Sequence, residues 1–96
     1  MQIDDIYINK AEGVAVVGEQ KIELTPIQFR LLWTLMLYQG EVLSKAFLYQ
    51  PVLNRALGQH DRVLDMHLSR VRRKIIAVGG AGERLQTVHG EGYCIS

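Results

Sequence analysis

The sequence predicts an α+β domain in the order strands, three helices, terminal β-hairpin. Three observations carry this. Short β-branched and apolar runs, punctuated by glycine, fill the region before residue 25. The stretch LTPIQF then carries a complete set of helix-start signals, and LQTVHGEGYCIS at the end places two short runs around His89-Gly90-Glu91-Gly92. At 96 residues the chain is expected to form one domain, residues 1–96.

Each element has its own local reason. Ile6 and Ile8 alternate with Tyr7 and Asn9, an apolar run covers Val14–Val17, and Lys21–Leu24 alternates again after a tight turn at Gly18-Glu19-Gln20. That pattern predicts an antiparallel meander. Thr25 suits an N-cap, Pro26 the first helical position, and Gln28 completes a capping box. Ile27, Leu31 and Leu35, with Phe29, Leu32 and Met36, give this helix a broad apolar face, and Gly40 is expected as its C′ stop. Trp33 is expected in the core or at its rim.

Ser44 is expected to cap a second helix over roughly Lys45 to Asn54. Pro51 lacks an N–H and clashes with the preceding turn, so this helix should kink or end near Tyr49–Gln50. Asp61 is expected to cap a third helix, DRVLDMHLSRVRRKI, which Gly79, Gly80 and Gly82 terminate.

Composition excludes several classes. Forty-eight per cent of residues are apolar and 22% charged, as in soluble globular proteins. No apolar run approaches the ~20 residues of a transmembrane helix, and no signal peptide is expected from the acidic start. The single cysteine, Cys94, cannot form an internal disulfide and fits a reducing, cytoplasmic setting; a buried thiol is the expected state. His60, His67, His89 and Cys94 lack metal-ligand spacing, so no metal site and no cofactor are expected. No nucleophile, base and oxyanion donors can be assembled into a catalytic set, and no enzyme is expected.

The formal net charge is only +1, but its distribution is uneven: −2 over residues 1–61, +4 over 62–74 and −1 thereafter. On a helical projection Leu64, Leu68, Val71 and Ile75 form one stripe for the core. Opposite lie Arg62, Met66, Ser69, Arg70 and Arg73, with Val63 and Lys74 on one shoulder and Asp65 with Arg72 on the other. Solvated faces usually mix acids among the bases, and this face has none. A solvated surface and a nucleic-acid contact therefore both remain open, the second being what a major groove would ask of such residues.

The segments LTPIQFRLLWTL, GEVLSKAFL, DRVLDMHLSRVRRKI and LQTVHGEGYCI resemble, in this order and spacing, the effector domain of OmpR/PhoB-type bacterial response regulators. Within that family the third-helix segment is most similar to the CpxR branch. The resemblance covers nearly the whole chain. It implies a winged helix-turn-helix: a four-stranded antiparallel N-terminal sheet, three helices and a C-terminal β-hairpin wing. It implies sequence-specific binding of double-stranded promoter DNA in transcription regulation, with two copies on direct repeats after phosphorylation of a separate receiver domain. No receiver is expected in this chain, and the isolated domain is expected to be largely monomeric.

By the same resemblance the third helix reads DNA. Arg70 is the expected base contact, Val63 and Met66 meet thymine methyls, and Ser69 makes a weaker or water-mediated contact. Arg62, His67 and Arg72 match phosphate-holding positions, to which helix geometry adds Arg73; Lys74 on the shoulder is also expected on phosphate. Asp65 is expected to be structural, paired with Arg72. In the wing, Thr87 matches a phosphate-contacting threonine, and His89 stands where many members place an arginine in the minor groove. A neutral imidazole attracts that groove poorly, so wing binding is expected to be weaker, or favoured below about pH 6.5. The 54–61 loop, with Arg55, Gln59 and His60, corresponds to a segment that can touch RNA polymerase, or is a plain connection. A winged-helix protein–protein module and a ToxR-type membrane-anchored regulator are the competing readings.

Overall fold

The computed structural model describes residues 1–55 and 62–96. Four short strands form an antiparallel meander: β1 (Gln2–Ile3), β2 (Ile6–Asn9), β3 (Val14–Val17) and β4 (Gln20–Ile22), in that spatial order. Register follows the period-two pattern. Ile6 pairs with Val17 and Ile8 with Ala15, so these four residues bury one face while Tyr7 points to the other. Strand β1 is not legible from its own residues; it is two residues long and joins the sheet through a turn with Asp4 at φ 54°.

Helix α1 (Pro26–Leu37) starts where the capping box predicts. The Gln28 amide donates to Thr25 Oγ1 at 3.2 Å, and the Thr25 amide to Gln28 Oε1 at 3.1 Å. Leu31, Leu32, Leu35 and Met36 are buried, each large side chain contributing about 1.5–3 kcal/mol by leaving water. Trp33 packs at the rim of this core, partly buried. The helix ends at a Tyr38 C-cap, so Gly40 lies one position beyond the C′ site expected for it. There, at φ 86°, Gly40 donates its amide to the Ile95 carbonyl at 2.9 Å, and the helix end is tied to the last strand.

Ser44 caps α2 (Lys45–Leu48), its Oγ accepting from the Phe47 amide at 3.1 Å. The expected break at Pro51 takes a specific form, because the chain widens into a π-helical turn over Tyr49–Leu53 and stops at Asn54, φ 55°. A wider turn relieves the clash of the proline ring with the carbonyl one turn back. Arg30 Nε–H donates to the Val52 carbonyl at 2.9 Å, satisfying an acceptor that the helix end leaves open.

Helix α3 (Val63–Ala77) lays Leu64, Leu68, Val71 and Ile75 into the core against α1. Its N-cap is Arg62, which makes no side-chain capping bond; the expected cap Asp61 lies outside the described residues. After a short 3₁₀ turn (Gly82–Arg84), β5 (Leu85–Val88) and β6 (Gly92–Ile95) form the hairpin, with Leu85 opposite Ile95 and Val88 opposite Gly92. Cys94 is buried in β6. Leu43 bridges to Tyr93 by two backbone hydrogen bonds of 2.8 and 2.9 Å, fastening the hairpin beside α2. Only glycine fits at 92, since a Cβ there would stand 2.0 Å from the Leu43 carbonyl oxygen.

Candidate nucleic-acid interface

The outer side of α3 carries Arg62, Met66, Arg70 and Arg73, all exposed, with Ser69 and Val63 half-buried between them. Arg62 and Arg73 are eleven residues apart, so the stripe extends about 16 Å along the helix axis. Met66 is 40% exposed, unusual for so apolar a side chain among cations. This arrangement presents guanidinium forks around an apolar centre, which is the chemistry that reads guanine edges and thymine methyls.

One expected pair is corrected. Asp65 does not pair with Arg72. Its carboxylate takes the Lys45 ammonium at 3.3 Å and the Tyr93 hydroxyl, because α2 and β6 pack on that shoulder.

Three of the side chains expected on phosphate are found engaged or placed otherwise within the fold. Arg72 turns toward the hairpin, giving Nε–H and an Nη2–H to the Leu85 carbonyl at 3.0 and 2.6 Å. Lys74 points back toward α1 and bonds the Glu23 carbonyl and Gln28 Oε1, both at 2.7 Å. An ammonium held there stabilises the start of α1 and stands away from the outer stripe. His67 is buried, and burial, with the charge of Arg70, lowers its pKa from the usual 6.5. Burial and the lowered pKa both disfavour an imidazolium at this position.

The wing places Thr87, His89 and Glu91 at the surface. Together with Lys45, Asp65 and Tyr93 they line a cleft of about 470 Å³ between α2, α3 and the hairpin. Lys45, which the sequence does not single out, lines this cleft with its ammonium on Asp65. Tyr93 is fully buried, and burial with its bond to Asp65 raises the phenol pKa, so it remains a donor. Arg55 lies exposed over the Tyr49 ring at 5.3 Å, whereas Gln59 and His60 fall outside the described residues. Among the described residues no three His, Cys, Asp or Glu side chains are grouped for a metal, and no helix is long and apolar enough to cross a membrane.

The family described as transcriptional regulatory protein, C terminal, matches residues 18–95. The chain belongs to this family. The β5–β6 hairpin is the wing of this winged-helix fold. The chain is 34% identical over 93 residues to the transcriptional regulatory protein CpxR of Escherichia coli, covering 97% of this chain and 40% of that protein. It is 46% identical over 72 residues to the transcriptional activator protein PfeR of Pseudomonas aeruginosa, covering 75% of this chain and 24% of that one. The chain thus spans less than half the length of these curated relatives. The crystal structure of the CpxR DNA-binding domain from E. coli superposes with a TM-score of 0.86 at 33% identity, covering 99% of this chain and 93% of that one. The Klebsiella pneumoniae RstA DNA-binding domain, solved in complex with the RstA box, gives 0.87 at 22% identity over 100% and 95% of the two chains, a likeness of fold. The four-stranded sheet, three helices and strand pair are those of the OmpR/PhoB-type effector domain.

Proposed function

We propose that this chain binds double-stranded promoter DNA in a sequence-specific way, with α3 in the major groove and the wing at the adjoining backbone and minor groove. The observation that carries this is the acid-free outer stripe of α3, where Arg62, Met66, Arg70 and Arg73 are all exposed. In this reading Arg70 is the base reader, Met66 and Val63 meet thymine methyls, and Ser69 contributes through water. Arg62, Arg73 and Thr87 hold phosphate, with Arg72 using the donors that Leu85 leaves open. His89 reaches the minor groove, and binding rather than catalysis is the role.

The larger protein is proposed to be a cytoplasmic response regulator whose receiver domain supplies dimerisation. Two copies then occupy direct repeats about one helical turn apart. Residues 1–96 act as its single DNA-binding domain, with the 54–61 loop as a contact for RNA polymerase.

Selection from random duplexes followed by titration tests the reading. Recovered sites should contain tandem half-sites, and log affinity should fall with log salt by about 0.9 per phosphate held. Arg70→Ala should weaken the selected site by about 1–3 kcal/mol while sparing random DNA. Equal losses on both would remove Arg70 as base reader, and salt-independent binding would remove the interface.

A further inference from the structure

Helix α1 is apolar around most of its circumference, and such a helix is stable when covered on both sides. Its inner side is covered, for Leu31, Leu32 and Leu35 are almost fully buried. Its outer side is covered only in part, with Phe29 and Trp33 half-buried and Pro26 and Leu37 exposed. Pro26, Phe29, Trp33 and Leu37 follow at three- and four-residue steps and form a ridge of about three turns, roughly 16 Å long. This ridge lines a groove of about 550 Å³, closed on its flanks by the β2–β3 turn and by Phe47 with Pro51. Leu37 and Phe47 are 54% and 45% exposed, a cluster that marks an interaction surface more than chance scatter.

The charge of the groove has one sign. Lys10 lies with its ammonium 5.4 Å from the centre of the Trp33 ring, and Arg30 is the other charged side chain in the walls. Among the described residues no carboxylate lines it. Neither α3 nor the wing contributes a wall, so an occupant leaves the DNA-facing side open.

We propose that this groove docks an acidic amphipathic helix of a partner protein. The helix lies along α1, sets its apolar side chains on Trp33 and Leu37, and turns its carboxylates to Lys10 and Arg30. The length of the ridge matches a helix rather than a compact small molecule, and the two cations select an acidic partner over a basic one. This proposal stands independently of DNA binding.

The test uses the whole chain and a fluorescent, stapled helical peptide of about 16 residues, with leucines at helical spacing flanked by glutamates. A second peptide carries lysine at each glutamate. Saturable binding of the acidic peptide is expected, weaker by at least about tenfold for the lysine peptide and for Leu37→Glu or Phe47→Glu. Amide shifts should map to residues 26–38, and Arg70→Ala should leave peptide binding unchanged. Equal binding of both peptides, or no saturable binding by the acidic one, overturns the proposal. So does binding that maps to α3 and is lost in Arg70→Ala, since the peptide would then be imitating DNA. Indole-3-acetate shifting the same amides when the peptide does not would make this a small-molecule site instead.

Discussion

The Tyr93 hydroxyl, in the second strand of the wing, donates a hydrogen bond to the Asp65 carboxylate on α3. The other carboxylate oxygen holds Lys45 of α2 at 3.3 Å. One side chain therefore joins α3, the hairpin and α2. Both carboxylate oxygens are thus engaged within the fold, and the bond to Tyr93 links the wing to α3.

Removing that hydroxyl tests the joint. Tyr93→Phe keeps the buried ring but leaves Asp65 with Lys45 alone, and should cost about 1–2 kcal/mol in urea unfolding because the carboxylate stays half exposed. DNA affinity should fall with the salt slope unchanged, since no phosphate contact is lost. An unaltered unfolding midpoint would show that the bond does not hold the wing.

Arg73 and Lys74 are neighbours in sequence with opposite expected roles. Arg73→Met should reduce the salt slope by about 0.9 and leave stability alone. Lys74→Met should lower the thermal midpoint, through loss of its bonds to Glu23 and Gln28, and leave the slope alone. The reverse pattern in filter binding and melting would exchange the assignments.

His67 predicts an acid sensitivity. Burial and Arg70 lower its folded pKa below 6.5, so the unfolded chain takes up the proton first. Its contribution is complete above about pH 6.5 and is lost as pH falls from there through the folded value. Wild type should therefore lose stability relative to His67→Gln between pH 7.5 and 5.5; a constant difference in urea midpoints would exclude the linkage.

Gly92 holds the hairpin against Leu43. Gly92→Ala forces a methyl into the Leu43 carbonyl at a backbone φ of 154°, and should destabilise the domain by about 3 kcal/mol or more. Exchange protection of the Tyr93 amide, which bonds Leu43, should be lost first. Retained protection would show that the bridge tolerates the shift.

Local signals make much of this legible. Alternation sets the register of β2 and β3, Thr25 and Gln28 set the start of α1, and the projection of α3 separates Leu64, Leu68, Val71 and Ile75 from Met66 and Arg70. The period-two and 3.6-residue repeats are properties of a single segment, so sequence alone carries them. The partners of the polar shoulder residues are not legible in this way. Asp65 and Arg72 share a shoulder of one helix, yet Asp65 finds Lys45 and Tyr93, twenty and twenty-eight residues away. Lys74 reaches Gln28, forty-six residues away.

The sequence by itself determined β2 and β3, the starts of α1 and α2, and the side of α3 that must face the core. Tertiary structure alone decided which cations remain available, because long side chains choose partners by what packs beside them. It also decided that His67 is buried, since the edge of a core stripe is covered or open according to neighbouring elements. Hydrophobic period is written along the chain, whereas the pairing of charges depends on which segments the fold brings together.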